Sequence, residues 1–345
     1  MTLISIIDEK HIDKKEIKKQ AEILKAGNTV IFPTETVYGL GANALDEVAV
    51  SKIYEAKGRP SDNPLIVHIY DKNQVDELVK DISPKAQLVM DNFWPGPITI
   101  ILNKKDIVPS RTSGGLNTVA IRMPSNIIAK TLLEEVKLPI AAPSANISGR
   151  PSPTRASHVY EEMNNRVDGI ILGGDCSFGL ESTVLDLTSK IPTILRPGSI
   201  TKEDLENVIG EVHIDPALEK KEGNIKAKAP GMKYTHYSPD ADVFIVCGEE
   251  NNVANEVNKL MEENSKQGLK SAIMCMNNHK DRYKGNTILL GENLEEVACN
   301  LFDALISVDK KKYDIVYSEE FTNYGIGRAI MNRLLKSAGY KVIKV

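Results

Sequence analysis

The stretch Leu138-Pro139-Ile140-Ala141-Ala142-Pro143-Ser144-Ala145-Asn146-Ile147-Ser148-Gly149-Arg150-Pro151-Ser152-Pro153-Thr154 decides how this chain is read. It opens as a short apolar strand and becomes a rigid loop of hydroxyls, an amide, a cation and three prolines. In open α/β sheets, loops at the carboxyl ends of strands converge on a crevice where ligands bind. Prolines and serines also punctuate ordinary surface turns, so this loop alone does not settle the matter. Two more stretches carry similar chemistry. After Thr29-Val30-Ile31-Phe32 comes Pro33-Thr34-Glu35-Thr36-Val37-Tyr38-Gly39-Leu40-Gly41, and before Leu65-Ile66-Val67-His68-Ile69 comes Lys57-Gly58-Arg59-Pro60-Ser61-Asp62-Asn63-Pro64. The glycine and prolines around Lys57 and Arg59 stop the helix expected at 46–57 and lock both cations on a turn. A cation pair fixed in that way suits an anion better than a solvated surface.

Working outward, Ile17, Ala21 and Leu24 recur at helical spacing before Gly27, and a strand follows at 29–32. Helices are expected at 46–57, 83–93, 125–136, 155–163 and 201–209. They alternate with β-rich runs at 65–69, 98–102, 118–122, 139–142, 169–172, 182–187 and 193–196. That alternation predicts an α/β domain on a twisted, mixed sheet over residues 1–214. The lysine-rich segment 215–240 breaks the pattern and reads as a linker. From residue 241 to 345, strands at 242–247, 270–276, 287–290, 313–317 and 340–344 with helices at 251–265, 293–308 and 326–337 predict a smaller Rossmann-like α/β domain. A chain of 345 residues exceeds the size at which one core keeps growing, which agrees with two domains.

Composition narrows the function classes. Lysine and arginine number 43 against 47 acidic residues, a net charge of −4, which argues against a nucleic-acid binder relying on global basicity. Cys176, Cys247, Cys275 and Cys299 are far apart, with no CxxC pair and no clustered histidines, so neither zinc nor a disulfide framework is indicated. No apolar run approaches the ~20 residues of a membrane span and the amino terminus lacks a signal peptide's apolar centre, so a soluble cytoplasmic protein is expected. Gly325-Ile326-Gly327 opens a helix, but Ile330 stands where a dinucleotide fingerprint needs a third small residue, so it is read as a helix start. There is no Gly-x-x-x-x-Gly-Lys-Ser/Thr, and ATP would have to be held some other way.

PTETVYGLG, KGRPSDNPLIVH, FWPGPIT, VAIRMPS, APSANISGRPSPT, GLESTVLDL and ILRPGSI, in that order over residues 33–200, closely resemble the YrdC-like family, and APGMKYTHYSP at 229–239 resembles its two-domain branch. The resemblance covers nearly the whole chain. It implies a YrdC-like twisted mixed sheet with flanking helices. It also implies a nucleotidyltransferase that joins L-threonine, bicarbonate or carbon dioxide, and ATP into threonylcarbamoyl-AMP and pyrophosphate. The product would pass to a tRNA threonylcarbamoyl transferase that modifies the adenosine beside the anticodon. Both chemical steps, carbamate formation and attack on the α-phosphorus, are problems of positioning and charge neutralisation.

On that reading Lys57, Arg59 and Arg196 neutralise the triphosphate, and Ser144, Asn146 and Ser152 donate hydrogen bonds. Asn63, Thr118 and Tyr234 are further nucleotide positions, with Tyr234 in a linker expected to fold over the site mouth. Mg²⁺ accompanies ATP and bridges its phosphates, with no side-chain ligands assigned. Arg122, at the end of a strand, pairs with the threonine carboxylate, and Thr34, His68, Ala142 and Ser182 complete the threonine side. A lone histidine in an apolar strand is more often a satisfied core residue, and only the resemblance moves His68 into the site. Glu35 and Tyr38 are weaker candidates for proton handling, and the general base stays unassigned. Two rivals are kept. A double-stranded RNA or tRNA-binding module would show steeply salt-dependent binding without turnover. A related carbamoyl-transfer maturation domain would carry zinc-finger or acylphosphatase-like segments, which this sequence does not show.

Overall fold

The computed structural model describes residues 1–218 and 237–345. Tyr234 and most of the linker expected at 215–240 lie outside the described residues. The described residues form two compact units, 1–148 with 152–218, and 149–151 with 237–345. Among them, no helix is long and apolar enough to cross a membrane.

In chain order the first unit contains β1 (Leu3–Ile6), α1 (Lys14–Lys25), β2 (Val30–Phe32), β3 (Gly39–Asn43), α2 (Glu47–Lys57), β4 (Ile66–His68), α3 (Gln74–Leu78), α4 (Pro84–Phe93) and β5 (Ile98–Asn103). It continues with α5 (Ser110–Ser113), β6 (Thr118–Arg122), α6 (Ile127–Val136), β7 (Ile140–Ala141), α7 (Ala156–Met163), β8 (Gly169–Leu172), β9 (Thr183–Asp186), β10 (Thr193–Arg196), α8 (Lys202–Ile209) and β11 (His213–Ile214). Local chemistry sets the boundaries. Asp13 and Asp46 cap α1 and α2 by accepting from the first free backbone N–H groups. Thr201 and Asp204 close a reciprocal capping box on α8. Gly58, at φ 60°, ends α2 in the left-handed conformation directly after Lys57. Three strands were not legible beforehand. β1 and the two-residue β11 are short strands at the two edges of the sheet, and β3 lies in Gly39-Leu40-Gly41-Ala42-Asn43, whose glycines read as a turn.

The strands form one sheet in the order β1-β8-β2-β3-β7-β4-β6-β5-β9-β10-β11, and it is mixed as expected. β4 and β6 are parallel, β5 runs against β6, β9 follows β5, and β7 runs against both β3 and β4. Alternation along β6 divides its two faces. Val119 and Ile121 join Val67, Ile100 and Leu185 in the main core beneath the sheet. Thr118, Ala120 and Arg122 point the other way, where Ile66, Ile101, Ala120, Val184 and Leu195 form a small apolar patch built of strand residues alone. Farther along this face, α1 and α6 cover Val30, Phe32, Ile140 and Ala142.

The second unit contains β12 (Asp242–Cys247), α9 (Glu250–Lys266), β13 (Ser271–Cys275), β14 (Asn286–Leu289), α10 (Leu294–Lys310), β15 (Ile315–Glu319), α11 (Ile326–Ser337) and β16 (Val342–Lys344). Its sheet, β14-β13-β15-β12-β16, is parallel throughout. Gly325 starts α11, and a side chain at Gly327 would stand 2.2 Å from the Thr322 carbonyl oxygen, so these glycines serve a tight helix start.

Gly198 fixes how β10 leaves the sheet: a Cβ there would stand 2.4 Å from the Thr183 amide nitrogen and 2.8 Å from the Ser182 carbonyl carbon. Both neighbours are backbone and cannot swing aside. Gly198→Ala should destabilise the protein by about 1–3 kcal/mol, read as a lowered urea midpoint with unchanged slope. An unchanged midpoint would show that the turn after Arg196 is slack.

Candidate functional site

The register lines up five side chains across the sheet: His68 on β4 faces Arg122 on β6, then Thr99 on β5, Val184 on β9 and Arg196 on β10. A bulge between Ile194 and Arg196 brings the arginine into this row. With neighbouring strands about 4.8 Å apart, the row spans roughly 19 Å. Because β9 runs against β6, Ser182 stands at its near end, where its hydroxyl meets Thr99 Oγ1 at 2.8 Å. Arg196 clamps the same serine, Nε donating to its carbonyl at 3.0 Å and Nη2 to its hydroxyl at 3.1 Å.

Arg122 is 3% exposed. Its Nη1 donates to Thr36 Oγ1 at 2.8 Å, and Nη2 stands 2.7 Å from Glu35 Oε1. That second contact is ionic, its N–H not aimed at the oxygen, so neither Nε nor Nη2 donates a directed hydrogen bond to any described residue. Burial, the largest single influence, raises the pKa of Glu35, but the Arg122 charge and contact together with the Glu35 and Ser125 backbone amides hold the carboxyl below its usual value. His68 is buried beside them. Its Nδ1 donates to the Ile66 carbonyl at 3.2 Å, since a carbonyl only accepts, and its edge meets the Phe32 ring. Burial and then the Arg122 charge pull its pKa to about 3, so the imidazole is neutral.

The opposite ends of these strands hold the second cluster. Because β7 is antiparallel to β4, its carboxyl end meets the amino end of β4, and the loops 57–63 and 143–146 come together there. Lys57, fully buried at the end of α2, donates to the carbonyls of Ser144 and Asn146, both at 2.5 Å. Burial, and then the neighbouring Arg59 charge, pull its pKa well below the ordinary lysine range. Lys57 therefore ties the two loops together from within. Arg59, half-buried, donates to the Pro64 carbonyl at 3.2 Å. Ser144 donates to Asn146 Oδ1 at 2.5 Å, and Ser152 to Glu181 Oε1 at 2.7 Å. Asn63 is 1% exposed, and no described residue donates to its Oδ1. Thr118 opens β6 on this side, four residues and about 13 Å along the strand from Arg122.

Two expected residues are committed to the scaffold. The Thr34 hydroxyl donates to the Val37 carbonyl at 2.6 Å and receives the amides of Thr36 and Val37, closing its own turn. The Tyr38 hydroxyl donates to the Gly174 carbonyl and accepts from the Gly173 amide, and burial raises its pKa. Ala142 is buried under the helices, its amide donating to the Ile66 carbonyl. Sequence reasoning passed over Thr36, Thr99 and Glu181. A threonine inside the otherwise apolar run Ile98-Thr99-Ile100-Ile101 was the available signal for one of them.

A protein-family model described as telomere recombination, covering Sua5, YciO and YrdC, matches residues 22–198, and one described as the threonylcarbamoyl-AMP synthase C-terminal domain matches 200–339. The curated threonylcarbamoyl-AMP synthase of Pyrococcus abyssi (strain GE5 / Orsay) is 46% identical over 345 residues, covering 100% of each chain. The chain belongs to the threonylcarbamoyl-AMP synthase family. The enzyme of the same name from Bacillus subtilis (strain 168) is also 46% identical, over 99% of this chain and 98% of its own. A crystal structure of P. abyssi Sua5 complexed with L-threonine superposes with a TM-score of 0.95 over 100% of both chains. Membership spans both units and makes the chain a nucleotidyltransferase-type enzyme, as the motifs implied.

The buried neutral state of His68 has a pH consequence. Its folded pKa of about 3 lies below the unfolded value of 6.5, so its contribution to stability is complete above 6.5 and is lost as pH falls toward about 3. Imidazole ¹⁵N spectra should show one neutral tautomer, protonated at Nδ1, with no titration between about pH 5 and 8. A titration midpoint inside that range would mean that His68 is solvated.

Proposed function

We propose that this protein is an L-threonylcarbamoyladenylate synthase that condenses L-threonine, bicarbonate or carbon dioxide, and ATP to threonylcarbamoyl-AMP and pyrophosphate, with the amino acid at Arg122 and the nucleotide toward the 57–63 and 143–146 loops. The observation that carries the reading is Arg122 itself, a buried guanidinium whose Nε and Nη2 lack directed acceptors at the end of a polar row. Two parallel N–H groups match a carboxylate in both geometry and charge. Ser182, Thr99 and the neutral His68 offer the hydroxyl and imidazole groups that read the remaining polar atoms of threonine. Rejecting serine rests on one methyl, worth only ~1–3 kcal/mol, so some serine turnover is expected.

Arg59 is the phosphate-neutralising cation at the loop end, and Arg196, clamped on Ser182 at the level of Arg122, adds positive charge where the two substrates meet. Lys57 acts by pinning the Ser144 and Asn146 carbonyls so that the side chains of that loop face the nucleotide. Asn63 Oδ1, buried without a donor, is available to a nucleotide N–H or O–H, and Ser152 and Thr118 complete the nucleotide side. The apolar patch of Ile66, Ile101, Ala120, Val184 and Leu195 lies on the face between the two ends and gives an uncharged floor. The donor set of this face, arginines and hydroxyls, suits phosphate oxygens rather than a bare cation, so a magnesium ion bound to ATP would be held through the phosphates and water and would supply charge neutralisation for the pyrophosphate. The product is a mixed anhydride that must be consumed by an acceptor nucleophile, which we take to be tRNA adenosine on a separate transferase.

Pyrophosphate release from ATP and bicarbonate, with and without L-threonine, tests this reading. Wild-type release should depend on threonine, and Arg59→Ala should lower it on the order of 10²-fold by removing a charge from the transition state. Lys57→Ala should lower it as well, by loosening the loop. No threonine-dependent release, with salt-sensitive RNA binding intact, would move the protein to the RNA-binding class.

A further inference from the structure

The ion pair at the head of the polar row is incomplete on both sides. Glu35 is 5% exposed and Arg122 3% exposed, and their charged atoms stand 2.7 Å apart. Glu35 Oε2 receives the Asn126 amide at 3.4 Å, the Glu35 and Ser125 backbone amides also favour the ionised carboxyl, and Oε1 is left with the Arg122 contact alone, which is not a directed hydrogen bond. Arg122 has spent Nη1 on Thr36 and has nothing aligned on Nε or Nη2. Buried charges are normally hydrogen-bonded to completion, because the low local dielectric makes each unfilled site costly. What is missing here is one acceptor pair for the arginine and one donor for the carboxylate, side by side. A single chemical group supplies both: the zwitterionic head of an α-amino acid.

Resting on the amino-acid reading above, we infer that Glu35 holds the α-ammonium of the substrate, its Oε1 accepting from that group while Arg122 Nε and Nη2 take the carboxylate. The backbone fixes Glu35 for this task. Its carbonyl accepts from the Phe178 amide at 2.9 Å and from the Ser177 hydroxyl at 3.4 Å, and its turn is closed by the Thr34 hydroxyl. Glu35 thereby selects molecules with an amine at the α-carbon and keeps that nitrogen at one defined place, which carbamate formation requires. Once the ligand carboxylate shares the Arg122 charge, Glu35 loses part of the interaction that holds it ionised and becomes a better proton acceptor for the ammonium it touches.

The test pairs a protein change with a ligand change. Calorimetric binding of L-threonine and of its α-hydroxy analogue, in which a hydroxyl replaces the amine, is measured on the full chain, wild type and Glu35→Gln. Wild type should prefer threonine by about 10- to 100-fold, and Glu35→Gln should bring that ratio close to one. A merely structural Glu35 would weaken both ligands together and leave the ratio at its wild-type value, which overturns the inference. If Glu35→Gln does not fold, Glu35→Asp decides the same question: drawing the carboxylate back must lower the ratio, and an unchanged ratio overturns it. A folded wild-type protein that binds neither ligand overturns the amino-acid reading and this inference with it, whereas threonine binding with an unchanged ratio in the variant overturns the Glu35 assignment alone.

Discussion

Everything in the first unit depends on strand register. His68, Arg122, Thr99, Val184 and Arg196 come from five strands scattered over 129 positions of sequence, from 68 to 196, and they meet because the pairing puts them opposite one another. A slip of one residue in β6 would send Arg122 into the core and bring Ile121 to the site face. The apolar positions forbid that slip: Val119 and Ile121 are buried against Val67, Ile100 and Leu185, and burying each such side chain contributes about 1.5–3 kcal/mol. The core thus fixes the chemistry on its opposite face without touching it.

A mixed sheet explains why the candidate residues lie on loops at both ends of the strands. In an all-parallel sheet the functional loops share the carboxyl edge. Here β7 runs against β4, so the carboxyl end of one meets the amino end of the other, and Ser144 can be tied to Lys57. β9 runs against β6, so Ser182 precedes its strand and still reaches the Arg122 end. The reversals give the face two polar ends with an apolar floor between them, a shape suited to an elongated ligand charged at both extremities.

The sequence carried much of this arrangement because motif residues with fixed local geometry announce themselves. Gly58 and the prolines after Arg59 predicted a locked turn, and Arg122 at the end of an apolar strand predicted an inward-facing cation; both stand where expected. What stayed hidden was decided by long-range pairing. Lys57 was read as a phosphate ligand, and nothing local says that its ammonium also donates to carbonyls 87 and 89 residues away. β3 was invisible because Gly39 and Gly41 suggest a turn, whereas a side chain at Gly41 would meet the Phe32 ring at 2.7 Å and Ile140 at 2.8 Å, so glycine there reflects close packing of a strand. Glu35 was noticed only as a carboxylate in a motif. Its meaning comes from Arg122, 87 positions later.

Those buried charges set a balance between folding and binding. Taking each ion out of water costs on the order of several kcal/mol, which an ion pair offsets only when its remaining hydrogen-bonding sites are filled. Arg122 and Glu35 leave sites unfilled, and Asn63 leaves an oxygen unfilled on the nucleotide side. Their desolvation is met by the stability of the folded core before any ligand arrives, so the groups need little reorganisation when it does. This is the same economy that keeps His68 neutral: a permanently uncharged imidazole beside Arg122 adds no competing cation where a carboxylate must dock. The cost appears as acid sensitivity, since Glu35 and His68, both with lowered folded pKa values, favour unfolding once the pH is low enough to protonate them. A site arranged in this way favours ligands that complete its hydrogen bonds over ligands that merely fit its volume. On that basis an amino-acid head group at one end and a polyphosphate at the other are better matched to it than a continuous nucleic-acid backbone, which would present anions to Glu35 as readily as to Arg122.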